Sequence, residues 1–195
     1  MNKKLWSWLA AALLLFTGQQ LSAKNNKEGK PMQTKILVVY FSHSGNTRVI
    51  ANQIHELAGG DIFELRPAAP YPAKYDDVVK QAKDELRSDF KPKLKAKLKG
   101  LEAYDTIFIG SPNWWGTVAG PVRTFLADYD LSGKTIAPFI THEGSGLGSS
   151  VRDIAKRCPK STIVDGLAVR GSSVKSARSD VAEWLRKFGI PELKK

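Results

Sequence analysis

Residues 35–48, K-I-L-V-V-Y-F-S-H-S-G-N-T-R, constrain the fold of this chain more than any other stretch. Ile36 to Phe41 are six apolar residues without alternation. A strand reads this way when both its faces are buried, as in the middle of a parallel sheet covered by helices. The run stops at Ser42-His43-Ser44-Gly45-Asn46-Thr47, small and hydroxyl-bearing residues suited to a tight turn. From Thr47 to Leu57, Val49, Ile50, Ile54 and Leu57 then fall at helical spacing. A buried strand that turns directly into a helix makes an anion cradle. The first-turn N–H groups have no intrahelical acceptor, and the helix dipole is positive at that end. The turn has neither the Gly-Lys-Ser/Thr ending of a nucleoside triphosphate loop nor the three-glycine dinucleotide fingerprint. A single terminal phosphate, held by the Ser42, Ser44 and Thr47 hydroxyls and by amides, is the anion it fits. The competing reading is a βα turn that only caps its helix.

The 195-residue chain has room for one domain with a full core. Met1-Asn2-Lys3-Lys4 followed by the apolar run Leu9–Phe16 and by Leu21-Ser22-Ala23 has the form of a secretory signal peptide over residues 1–23. The run is too short to span a bilayer comfortably, so an uncleaved anchor is the second choice. Lys24–Thr34, polar and Lys-rich, reads as a flexible tether, which leaves residues 35–190 for the domain. The formal charge is +11, and loss of Lys3 and Lys4 with the leader leaves +9. Such a surface favours acidic redox partners or anionic membrane surfaces. No nucleic-acid motif accompanies it. The single cysteine, Cys158, excludes an internal disulfide and a multi-cysteine metal site. It is not a C-x5-R phosphatase nucleophile either, because Val164 stands at the arginine position.

Along the rest of the chain, Asp61–Leu65 alternates as an edge strand does, and Arg66–Tyr75 is a Pro- and Tyr-rich loop. Asp76–Phe90 is amphipathic, with Val78, Val79, Ala82 and Leu86 as its apolar stripe. Lys91–Lys99 (K-P-K-L-K-A-K-L-K) has a period of two that excludes a helix and predicts an extended surface segment resting Leu94, Ala96 and Leu98 on the core. Tyr104–Gly110 is the next buried strand, followed by the loop Ser111-Pro112-Asn113-Trp114-Trp115-Gly116-Thr117 and a helix from Pro121 to Tyr129. Adjacent tryptophans at a strand end offer a stacking face to a flat ligand. Lys134–Thr141 is a fourth strand leading into His142-Glu143-Gly144-Ser145-Gly146-Leu147-Gly148, where glycines allow close backbone approach. A helix over Ser149–Arg157, a fifth strand over Thr162–Val169 and a last helix over Lys175–Phe188 complete the chain. The alternation predicts an α/β fold, a doubly wound five-stranded parallel sheet with helices on both faces. The loops after strands one, three and four then share one rim.

These three loops, in this order and each after a strand, resemble those of the flavodoxin family over about Lys35 to Phe188. The resemblance implies FMN, with its phosphate on Ser42, His43, Ser44, Gly45, Asn46 and Thr47. It places the isoalloxazine between Pro112, Asn113, Trp114, Trp115 and Gly116 on one side and Thr141, His142, Glu143, Gly144 and Gly146 on the other. No catalytic side chain and no metal are implied. Three features depart from the family's usual pattern: the basic charge, the leader, and Glu143 where a small residue is common. The function implied is an electron-transfer flavoprotein of the cell envelope, in the periplasm if the leader is cleaved, shuttling electrons between redox partners. The alternative is an FMN-dependent NAD(P)H:quinone-type reductase with Tyr71, Tyr75 and Glu143 lining its pocket. A binding module that has lost the cofactor is the third class.

Overall fold

The computed structural model describes residues 34–190; the expected leader and residues 24–33 of the expected tether lie outside them. Strand β1 (Ile36–Tyr40) is buried at every position, and its alternate residues feed two separate apolar layers. Ile36, Val38 and Tyr40 meet α1 (Asn46–Ala58) and α5 (Arg178–Lys187), chiefly through Ile50, Ile54, Val181 and Leu185. Leu37, Val39 and Phe41 meet α3 (Gly120–Asp128) and α4 (Ser150–Arg157), through Val122, Phe125 and Ile154. Two-sided burial is what an unbroken apolar run predicts, and it makes the sheet the middle of three layers.

The sheet runs β2 (Asp61–Glu64), β1, β3 (Thr106–Trp114), β5 (Thr135–His142), with all these pairs parallel. The fifth position is shared by β6 (Thr162–Ile163) and β7 (Leu167–Arg170), both parallel to β5. Gly166 lies in the gap between them, where a Cβ would come within 2.9 Å of Val151. The expected single fifth strand is therefore two short ones. Strand order reverses between β1 and β3, so a crevice opens beyond their carboxyl ends.

Four further expectations are corrected. Ser111–Trp114 is not a loop: β3 continues to Trp114 and folds back antiparallel onto β4 (Thr117–Val118). The last helix does not begin at Lys175, because Gly171–Ser176 is a 3-10 turn and α5 starts at Arg178. On α2 (Tyr75–Arg87) the buried residues are Val78, Ala82 and Glu85, whereas Val79 and Leu86 are only half-buried. In the lysine segment Leu94 and Leu98 pack on the core, but Ala96 is exposed at a bend.

Candidate functional site

The first loop is shaped by Ser42 and Gly45. Gly45, at φ 96°, precedes α1 in a left-handed conformation that a side chain would resist. The Ser42 hydroxyl accepts from the Gly45 N–H at 3.1 Å and the Arg48 N–H at 3.3 Å, so it holds the turn from inside. His43 and Ser44 are exposed. The Asn46 and Thr47 N–H groups belong to the first helical turn and have no intrahelical acceptor. Thr47 is buried, and its hydroxyl lies 2.8 Å from that of Thr141, tying the start of α1 to the end of β5.

The second loop is a two-residue hairpin. Trp115 and Gly116 both have positive φ, at 55° and 81°, as the tight turn between right-twisted strands demands. A tryptophan in that region is strained. Its indole N–H donates to the Val79 carbonyl at 3.0 Å and the Lys83 ammonium sits 4.8 Å from its ring centroid, so this residue faces α2. Trp114 goes the other way. It meets Tyr71 at 4.8 Å, Phe41 at 5.5 Å and His43 at 6.0 Å, all near edge-on, forming an aromatic corner beside the first loop.

The third loop is fastened to the second. The Asn113 amide donates to Gly146 O at 2.9 Å, and its oxygen accepts from the Gly116 N–H at 2.9 Å. Ser149 donates its N–H to Gly116 O at 2.7 Å. Gly148 packs so closely that a Cβ there would overlap the same carbonyl. Below them Asp153 accepts from the Thr117 and Ser149 hydroxyls. Partial burial pushes the Asp153 carboxyl up, but those two hydrogen bonds hold it below its ordinary value. His142 Nδ1 accepts from the Gly144 N–H at 3.0 Å, which fixes the proton of the neutral ring on Nε2. Glu143 is exposed, and its carboxylate converges with the Asn46 amide on Gly171.

The structure brings most of the predicted site residues to one rim, with Pro112 and Thr141 paired across β3 and β5 beneath it, but it turns Trp115 away, toward α2. A Cβ built on Gly45, Gly116, Gly144 or Gly146 would meet nothing within 4 Å, so the backbone at these turns faces open space. The residues missed by sequence reasoning, Gln81 and Glu85, stand behind the corner and hold Tyr71. Tyr71 donates a 2.6 Å hydrogen bond to Glu85, which also accepts from Gln81 at 2.9 Å. Burial and the Glu85 carboxylate hold the Tyr71 hydroxyl well above the ordinary tyrosine range, so it remains a donor. The signal was present: Val78, Ala82 and Glu85 lie on one helical stripe. A surface groove of about 540 Å³ along α2, lined among others by Asp77, Asp84 and Phe90, includes none of the three loops.

Known proteins share this fold. The model of the flavodoxin family matches residues 35–188. A candidate flavoprotein from Bacteroides uniformis is 32% identical, with a TM-score of 0.70 over 78% of this chain and 98% of its own. One from Bacteroides eggerthii is 29% identical, with a TM-score of 0.68 over 80% and 99%. A flavoprotein from Lactobacillus acidophilus, solved in complex with FMN, is 26% identical, with a TM-score of 0.62 over 75% and 99%. With the rim, the strand order and the matched span in agreement, this chain belongs to the flavodoxin family.

Proposed function

We propose that this protein is an FMN-dependent electron carrier of the cell envelope, passing electrons between redox partners. FMN binding follows from the family and from the relative that holds FMN. The residues fit it. The Ser42–Thr47 turn offers a positive helix end, an exposed Ser44 hydroxyl and N–H groups free of intrahelical bonds, and needs no cation to hold a phosphate. Asn113, Gly116 and Gly146 present a hydrogen-bonded backbone wall, and Trp114 an aromatic one. When bound, FMN supplies the electron chemistry, and the protein supplies placement and electrostatics.

The observation that carries this reading is the fastening of all three loops at one rim: Thr47 to Thr141, Asn113 to Gly146, and Gly148 against Gly116. Such cross-links fix the three loops relative to one another, as a site for one rigid planar group requires. The residues suggested for a reductase pocket serve other ends. Tyr71 is tied to Glu85, Tyr75 stands 78% exposed, and Glu143 lies against Gly171. The test is kinetic. Photoreduced protein should pass electrons to redox proteins of a membrane and periplasmic fraction, more slowly as salt rises. NADPH with a neutral quinone should give no steady turnover; fast turnover with no added partner would make the protein a reductase instead.

A further inference from the structure

The segment after α2 is irregular but firmly held. Two buried side chains of α3 are committed to its carbonyls: Thr124 donates to Pro92 O at 2.8 Å and Arg123 to Phe90 O at 3.2 Å. Arg123 is 3% exposed, and its Nε and Nη1 have no hydrogen-bond partner among the described residues. A guanidinium kept in the core for a single backbone bond is a costly fastening. Further along, Ala68 donates to Lys93 O and Lys95 to Arg66 O, Leu98 donates to the Tyr129 hydroxyl, and Leu94 and Leu98 pack inward.

What this fastening presents is charge. Lys93, Lys95, Lys97 and Lys99 are all exposed, and among the described residues none of them has an ion-pair partner. Lys91 is different, being paired with Asp89 at 2.6 Å. At the head of the row Phe90 is 54% exposed, a large apolar side chain beside a line of ammonium groups. Phe90 also lines the groove along α2 together with Asp77, Lys80 and Asp84. Solubility alone would not require a lysine row held at so many points.

We infer that Phe90 and Lys93–Lys99 form a peripheral docking surface for an anionic lipid bilayer. The lysines meet lipid phosphates and Phe90 enters the headgroup layer, the pairing of basic and aromatic residues that interfacial binding uses. No described helix is long and apolar enough to cross a membrane. This goes beyond the carrier reading and does not depend on flavin.

Vesicle co-sedimentation of the full chain tests it, comparing 30% phosphatidylglycerol in phosphatidylcholine with phosphatidylcholine alone. Any contribution of the apolar residues 9–16 is common to both vesicles and cancels in the difference. The chain should prefer the anionic vesicles, and the preference should collapse in high salt. Each lysine near the surface is worth about fivefold, so K93Q/K95Q/K97Q/K99Q should weaken anionic binding by roughly 100- to 1,000-fold. A charge-matched control, K156Q/K160Q/K175Q/K187Q, should lose far less, and F90S should lose several-fold. Equal losses in the two quadruple variants, or no preference for anionic vesicles at all, would overturn the inference. A row that binds acidic proteins in place of lipid would show itself by the second of these outcomes.

Discussion

Thr47 is the residue at which the first loop, the phosphate cradle of the proposed reading, meets the sheet. Its hydroxyl has one proton and two acceptor sites, so it can accept from Thr141 and keep its own proton for an anion. Thr47→Ala should therefore weaken FMN binding by about 10- to 100-fold, the loss of one charge-assisted bond of about 1.5–3 kcal/mol. Riboflavin, which lacks the phosphate, should be little affected. Titration of the apo-protein with both ligands checks this, and an equal loss for both would reduce Thr47 to a structural role. Tyr71 presents the opposite case, a polar group whose work is done away from the ligand. Tyr71→Phe keeps the ring against Trp114 but leaves buried Glu85 without its closest donor. It should lower unfolding stability by about 1–3 kcal/mol in urea titration. Neither bond was legible beforehand. Sequence spacing could place Thr47 and Thr141 at the ends of a helix and a strand, but not bring two hydroxyls 94 residues apart into contact.

The elements themselves were largely written in local pattern. The unbroken run Ile36–Phe41 is a central strand, and the alternating Asp61–Leu65 is an edge, because burial on two faces and on one leaves different periodicities. The reading that failed at the second loop has a tertiary cause. Ser111–Trp114 looked like a loop because Ser, Pro and Asn are turn residues, yet β5 pairs with Ser111 and Pro112 and carries the strand onward. The hairpin that follows is clasped to α4 by Asp153, whose carboxylate is favoured in the folded chain. A carboxyl lowered by folding contributes stability that is complete above the ordinary aspartate value of about 4 and is lost as the pH falls through the lower folded value. Asp153→Asn should thus flatten the fall in stability below about pH 4, as followed by acid titration of tryptophan fluorescence. On β3, Gly110 lies where a Cβ would run into the Phe139 ring and approach Tyr40 Cβ to 2.8 Å. Gly110→Ala should destabilise by about 1–3 kcal/mol or more, read as a fall in the thermal midpoint, because rigid strands on both sides cannot move apart.

At the scale of the molecule, a doubly wound sheet collects the ends of β1, β3 and β5 at one rim, and chemistry written in three separated stretches becomes one site. The order and content of those loops were enough to read the fold and the cofactor class. Which tryptophan turns inward was not, because that depends on the left-handed backbone of Trp115 and its bond to α2. In the proposed reading Trp114, beside His43 of the first loop, is the one that touches the flavin ring. Trp114→Ala should weaken FMN binding by about 1 kcal/mol or more, whereas Trp115→Ala should leave it nearly unchanged. The central claim is that this rim holds FMN. Its most direct test is to purify the protein, release the bound small molecule, identify it by mass, and titrate the stripped protein with FMN. The account predicts a yellow protein that releases FMN and rebinds it at one per chain with quenching of tryptophan fluorescence. A colourless protein that takes up no FMN, or one that releases FAD, would contradict it.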